Sequence, residues 1–442
     1  MDKGGVKILF IINDYHQYEA YIRTQALEDI KDRTYFIANP ALSELDFDVP
    51  RERVFFYSYP DSKNTLHRHI FNLNTWRLRK KSIIFWIQSQ LFKPRQVSAY
   101  KIMSVPGIYQ IVKFAFLKRA EDRDLFELVR KINPSIILIP SHAYEGHAFE
   151  LIRIARKINV PSFMVIDNWD TLGNKTIFTF KPDYLGVWSR QQVEHAVNVK
   201  NMPKDRVIIL GTPKFKKYMK PSDKPQPSPY PFRYALYAGM SDLFDELGAL
   251  KKIDKIIDEN KIDIRVVYRP TPIQHTRRCP DVFFEYDFKH VVLDAPARHY
   301  YKKLTSWDTF AGGFNPLYYP DSDYFRPLLS NMEFMISAQT TMILEAALLG
   351  KKNYILAYDD GIHRFNPKFI FDNFPSLFGI VERLENVRMV RRKEDLEKIF
   401  APGDQLKRDV QPLDIDYFVS KEATANYASN LEKAVEKIIA QK

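Results

Sequence analysis

Between Val160 and Phe215 three short apolar runs, Phe163–Ile166, Tyr184–Trp188 and Val207–Leu210, alternate with polar turns and one helical stretch. Runs of four or five residues without polar alternation belong to strands buried on both faces, which means a parallel sheet covered by helices. The same rhythm precedes this stretch, at Val6–Ile12, Arg33–Ala38, Val54–Tyr59 and Ile136–Ile139. It restarts afterwards at Tyr234–Ala238, Ile264–Tyr268, Val291–Leu293, Phe334–Ser337 and Tyr354–Ala357. Helices are expected at Glu19–Asp29, Ala120–Ile132, Ala148–Ile158, Leu243–Glu259 and Ser420–Ile439. Lys216–Phe232 separates the two series with prolines at 221, 225, 227, 229 and 231, which exclude helix and central strand alike. The pattern predicts an α/β protein of two Rossmann-like domains facing each other across a cleft. Residues 1–215 form one domain, 216–232 the linker and 233–442 the other.

Composition narrows the class. The chain has 442 residues, 45% of them hydrophobic, enough for two cores. A single cysteine excludes a disulfide framework and a multi-cysteine zinc site, and fits a reducing cytosol. The N-terminus enters a strand pattern with no signal peptide, and no apolar run approaches the ~20 residues of a membrane span. The net charge of +12 is concentrated: 65–119 holds eleven Lys or Arg and no Asp or Glu. Nine aromatics, among them Phe71, Trp76, Trp86 and Phe114, are interleaved with these charges. That mixture suits an anionic membrane surface, with RNA as the competing partner. The plain alternative is a helical region, broken at Pro94 and Pro106, whose aromatics are core and whose charges are solvated.

In open parallel sheets ligands bind outside the C-terminal strand ends. The loops there carry Asp14 and His16; His142, Glu145 and His147; and Asp167 and Asp170. Glu145, His142, Asp167 and Asp170 are candidates for a general base, and any Asp there can equally be a helix cap. His142, His147 and Asp170 can also be read as metal ligands, a weak signal from one loop pair. In the second half Ser337, Thr340 and Thr341 precede a helix whose start offers N–H groups to an anion, and Glu345 lies one turn in, placed for a ribose. Gly239 would let backbone approach a ligand, or would simply turn the chain. Arg269 would clamp a phosphate, or pair with a surface acid. No G-x-x-x-x-G-K-[ST] loop is present, and no G-x-G-x-x-G follows the first strand, which disfavours Walker-type and dinucleotide sites.

DNWDTLGNK (167–175), PDYLGVWSRQQVEHA (182–196), VIILGTPKF (207–215), TTMILEAALLGK (340–351) and YDDGIHRFNP (358–367) carry a resemblance. Over nearly everything outside 65–119 the chain resembles GT-B type glycosyltransferases of bacterial surface polysaccharide biosynthesis, and loosely the CDP-glycerol glycerophosphotransferase group. It departs from that group in lacking a clear pair of matching catalytic histidines. The resemblance implies an acceptor site in the first half and a nucleotide-sugar site in the second, with no obligatory metal and no cofactor. Donor contacts would come from Gly239, Arg269, Ser337, Thr340, Thr341 and Glu345, with His363 and Arg364 beside them. Asp321-Ser322-Asp323 has the Asp-x-Asp spacing of another glycosyltransferase class but follows no clear strand, and reads as a loop. The expected enzyme is cytoplasmic and peripheral to the inner membrane face. It takes a nucleotide-sugar donor and a lipid-linked or oligosaccharide acceptor, touches anionic lipid through 65–119, and does not have nucleic acid as its expected partner. A nucleotide-sugar epimerase or hydrolase of the same fold, or a non-catalytic RNA- or membrane-binding scaffold, are the alternatives.

Overall fold

The computed structural model describes residues 5–78, 82–89, 92–143, 145–219, 226–240, 244–270, 283, 286–297, 322–374, 379–403, 405–406 and 410–441. They form two compact units, Met1–Met219 with Asp416–Lys442, and Lys220–Ile415.

The first unit is built on β1 (Ile8–Ile12), β2 (Thr34–Ala38), β3 (Val54–Phe56), β4 (Ile136–Ser141), β5 (Ser162–Ile166), β6 (Tyr184–Val187) and β7 (Val207–Ile209). Among the described residues these make one seven-stranded sheet, ordered β3-β2-β1-β4-β5-β6-β7 and parallel throughout. Every residue of β1, β4, β5 and β6 is buried, as their unbroken apolar runs require. In the register Phe10 faces Phe36 on one side and Leu138 on the other.

Between β3 and β4 come the helices α1 (Asp61–Leu78), α2 (Ile83–Ser89), α3 (Pro94–Met103), α4 (Pro106–Ala120) and α5 (Arg123–Ile132). Pro94 and Pro106 open α3 and α4, where the missing N–H costs nothing. Eight of the nine aromatics in 65–119 pack inward. Phe71, Phe85, Tyr100 and Tyr109 are buried, with Trp76, Trp86, Phe92 and Phe116 against them in two small clusters. This corrects the expectation that these rings lie at a membrane surface: they are the core of the helical region.

A polar contact joins α1 to α6 (Gly146–Lys157): the Gly146 N–H donates to Asn64 Oδ1 at 3.1 Å. Glu150 accepts from Arg153 at 2.7 Å and from the Asp122 N–H at 3.2 Å, with His67 3.6 Å away. Removing one partner of such a group leaves a charge stranded, at a cost of about 3–5 kcal/mol. The helical region is therefore held on the sheet by more than apolar contact.

The second unit carries β8 (Tyr234–Ala238), β9 (Arg265–Arg269), β10 (Val291–Leu293), β11 (Phe334–Ser337), β12 (Lys352–Leu356) and β13 (Val387–Val390). The order is β10-β9-β8-β11-β12-β13, again parallel. β13 was not foreseen, because Arg388 interrupts its apolar run. The expected helix at Glu19–Asp29 is instead an irregular helical stretch, Tyr15–Tyr18 followed by the wider turns of Glu19–Arg23. Ser322 and Asp323 begin a helix, Ser322–Asn331, and so do not lie in a loop; Asp321 is outside the described residues. Of the expected linker, Lys216–Met219 is a helical turn and 220–225 lie outside the described residues.

The C-terminal segment corrects the domain reading, which gave it to the second half. Lys421–Ala425 and Tyr427–Ala440 are helices of the first unit. The Ser420 N–H donates to the Trp188 carbonyl at 3.3 Å, Tyr417 to Glu194 at 2.7 Å, and Arg33 pairs with Glu432 at 3.2 Å. Gly211 makes this packing possible. Its φ is +79°, and a Cβ there would lie 2.3 Å from the Thr424 nitrogen. Gly211→Ala is therefore expected to cost well over 1 kcal/mol and to lower the melting temperature by at least about 2–4 °C. Urea and thermal unfolding of the variant check this, and an unchanged midpoint would contradict the close approach.

Candidate active site at the strand ends

Both sheets start in their middle. The chain runs outward from β1 through β2 to β3, then returns to the other side of β1 at β4; β8 and β11 repeat the move. Loops leaving β1 and β4, and those leaving β8 and β11, therefore diverge and open a crevice at each strand-end edge, the usual ligand position in such sheets.

In the first unit side chains from three strand ends meet at that edge. Asp14 caps the turn after β1, accepting from the Gln17 N–H at 2.9 Å. Buried Gln17 links three loops: its carbonyl accepts from the Asn13 N–H at 2.7 Å, and its amide donates to the Pro140 carbonyl at 3.1 Å and to Asp167 at 2.9 Å. Asp167 also accepts from the Tyr21 hydroxyl at 3.1 Å, and the Lys214 ammonium donates to its backbone carbonyl at 2.7 Å. Burial raises the Asp167 carboxyl above its ordinary range, opposed by Lys214 and His142.

His142, leaving β4, has its Nδ1 3.6 Å from Asp167 and 4.0 Å from Glu145, with about a quarter of its side chain exposed. Glu145 accepts from the Ser141 hydroxyl at 2.5 Å and the His142 N–H at 3.1 Å. Burial pushes its carboxyl up, but His142, His147 and the Ser141 hydroxyl outweigh this and hold it low. The arrangement is an imidazole at the surface with two carboxylates behind it, one held ionised and one raised. It can accept a proton and stabilise the resulting imidazolium.

Asp170 does not join this group. It pairs with Lys175 at 3.1 Å, while its neighbour Trp169 is fully buried against Phe418. Among the described residues no three His, Cys, Asp or Glu side chains are grouped so as to hold a metal ion. Gln17, Tyr21 and Lys214 were missed in the sequence. The available signal was position: the first two follow β1 within a turn or two, and Lys214 follows β7.

In the second unit two expected donor contacts serve the fold. Arg269 is buried and pairs at 2.5 Å with fully buried Asp294, its guanidinium 4.5 Å from the Phe325 ring. Asp294 also accepts from the hydroxyls of Tyr230 and Tyr324. We assign Arg269 a structural role rather than that of a phosphate clamp. Gly239 donates to the Arg269 carbonyl at 2.8 Å, and a Cβ there would lie 2.9 Å from Pro270 Cα. The space left by its missing side chain is filled by neighbouring backbone.

At the β11 end Ser337 is buried, its hydroxyl donating to the Ala338 carbonyl at 3.3 Å. Thr340 and Thr341 are half-buried before the short helix Met342–Leu348, and Glu345 is half-buried one turn in. Thr341 makes no side-chain cap; the Met342 N–H approaches the Thr340 hydroxyl at 3.4 Å. After β12, Asp360 accepts from His363 Nδ1 at 2.5 Å, from the His363 N–H at 2.9 Å and from the Asp245 N–H at 2.8 Å. Burial opposes ionisation of Asp360, but these donors hold its carboxyl below the ordinary range. Arg364 is exposed, with its guanidinium 5.4 Å from the Phe365 ring.

No protein-family model matches the sequence, and no curated protein matches it. Solved structures do. A protein assigned as a UDP-N-acetylglucosamine 2-epimerase from Listeria monocytogenes is similar over 99% of this chain and 97% of its own, with TM-score 0.54 and 10% identity. The calicheamicin glycosyltransferase CalG4 is similar over 99% of both chains, with TM-score 0.50 and 11% identity. The UDP-GlcNAc 2-epimerase of Methanocaldococcus jannaschii, solved with UDP-GlcNAc and UDP, matches 97% of this chain and 100% of its own, with TM-score 0.50 and 11% identity.

Two buried histidines of the first unit set a pH dependence. Burial lowers His147, and lowers His195 to about 4 with Lys200 adding to the effect. Both folded values lie below the unfolded value of about 6.5, so the unfolded chain binds these protons first. Stability is full above about pH 6.5 and falls as the pH drops toward 4. His195→Gln should flatten this slope in urea titrations run across that window; an unchanged slope would refute the assignment.

At these identities the likeness is one of fold, and it agrees with the two sheets: the chain is built of two Rossmann-like units of the GT-B type.

Proposed function

We propose that the chain is a glycosyltransferase, moving a sugar from a nucleotide-activated donor to a lipid-linked or growing surface glycan at the cytoplasmic membrane face. The observation that carries this reading is the grouping of His142, Asp167 and Glu145 at the strand-order reversal of the first sheet. His142 is the base. It takes the proton of the acceptor hydroxyl, whose oxygen bonds to the anomeric carbon as the bond from that carbon to the donor phosphate breaks. The electron pair leaves on the nucleotide phosphate. Asp167 and Glu145 steady the imidazolium, and Gln17 and Tyr21 hold Asp167 in place. The donor lies in the second unit, on Thr340, Thr341 and Glu345, with His363, oriented by Asp360, and Arg364 contributing from the loop after β12.

A nucleotide-sugar epimerase is the second reading, favoured by the fold likeness to two UDP-GlcNAc 2-epimerases. Product analysis with donor alone separates the two, because an epimerase turns over without an acceptor.

A native-state ligand raises the melting temperature by mass action. In a panel of CMP, CDP, UMP, UDP, GDP and ADP, with and without magnesium, one base is expected to give a clear shift. Glu345→Ala should reduce that shift at unchanged intrinsic stability. A full-sized shift in the variant would remove Glu345 from the donor site, and no shift with any nucleotide would count against a nucleotide donor. His142→Gln should leave the shift intact and lower turnover by about 10²–10⁴-fold, the usual contribution of a positioned base. A variant within threefold of the parent would exclude His142 as the base.

A further inference from the structure

Helix α4 is apolar on both sides, as a helix enclosed by protein would be, yet only one side is covered. Its inner face, Tyr109, Val112 and Phe116, packs on Leu73 and Tyr100. On that side the Tyr109 hydroxyl donates to Asn74, and Tyr100 is engaged by Asn72 and His69. Its outer face presents Ile108, Ile111 at 71% exposure and Phe114 at 69%. Ile102, 60% exposed, and Val105 continue the apolar surface across the turn from α3. These five are most of the large exposed hydrophobic side chains among the described residues. A contiguous patch of this kind marks an interaction surface.

Charge identifies the occupant. Lys101, Lys118 and Arg119 are exposed on the same two helices, and no Asp or Glu occurs between Thr65 and Ala120. Arg77 and Lys113 both lie over the Tyr109 ring, at 4.6 and 5.7 Å, so like charges are kept together with no carboxylate from this region between them. A second copy of the surface would bring positive charge against positive charge. Single-stranded RNA needs exposed rings to stack on, and all but Phe114 of the region's aromatics are packed inward. An apolar strip flanked by cations fits an anionic bilayer, where the side chains enter the headgroup boundary and the cations meet lipid phosphates.

We propose that the α3–α4 hairpin lies in the plane of an anionic membrane surface, with Ile102, Val105, Ile108, Ile111 and Phe114 immersed and Lys101, Lys118 and Arg119 on the headgroups. This surface rests on the exposed apolar face and the cations beside it; it specifies the membrane placement in the proposed function and does not depend on glycosyl transfer.

The test is flotation of the full chain with vesicles of phosphatidylcholine alone or mixed with phosphatidylglycerol. The protein should float with the mixed vesicles, and less so at high salt. The double substitution Ile111→Asp with Phe114→Asp should weaken binding by more than about tenfold with an unchanged thermal melt. If that variant does not fold, Ile111→Ser, at an exposed position, takes its place with the same expectation. Lys118→Glu with Arg119→Glu should reduce binding to the mixed vesicles only. Failure of the parent to float, or parental flotation by the apolar variant, overturns the proposal. So does lipid-free self-association that the apolar substitutions abolish, or RNA binding that the same substitutions abolish without any vesicle binding.

Discussion

Parallel strands cannot be joined by tight hairpins; each must be followed by a crossover that carries the chain back to the starting edge. Every strand therefore ends on the same side of its sheet, and the polar loops gather there. Because β1 and β8 lie inside their sheets, the crossovers turn one way first and then the other. The two loops flanking each reversal part. His142 and Asp14 face one such gap, and Thr340 faces the other, for a reason that lies in topology before it lies in any residue.

That topology was largely legible. Unbroken apolar runs announced twelve of the strands, because burial on both faces leaves no room for polar alternation. β13 escaped since Arg388 breaks its run. The C-terminal segment was legible as a charged helix, and the structure shows its buried stripe to be Tyr427, Leu431, Val435 and Ile438. Periodicity describes a face and not its partner, so the stripe gave no sign that it belongs to the first sheet.

Polar residues were harder, because their meaning depends on partners far away in the chain. Asp167 and Asp170 stand in one short motif, yet one is clasped by Gln17 from 150 residues earlier and the other by Lys175 five residues on. Arg269 reads as a phosphate ligand until Asp294 is found beside it. The basic-aromatic stretch divided in the same way: all but one of its rings turned inward, while Ile102, Val105, Ile108, Ile111 and Phe114 turned outward, a choice that composition alone does not record.

The return of Asp416–Lys442 to the first unit has a bearing on how the chain is made. A ribosome releases the seven strands of that unit before the second unit, but the segment that meets Tyr21 and Tyr184 follows it. The second unit, encoded without interruption, can complete its own fold while the first still waits with an uncovered apolar surface. During synthesis the first unit therefore closes only after the second has been made.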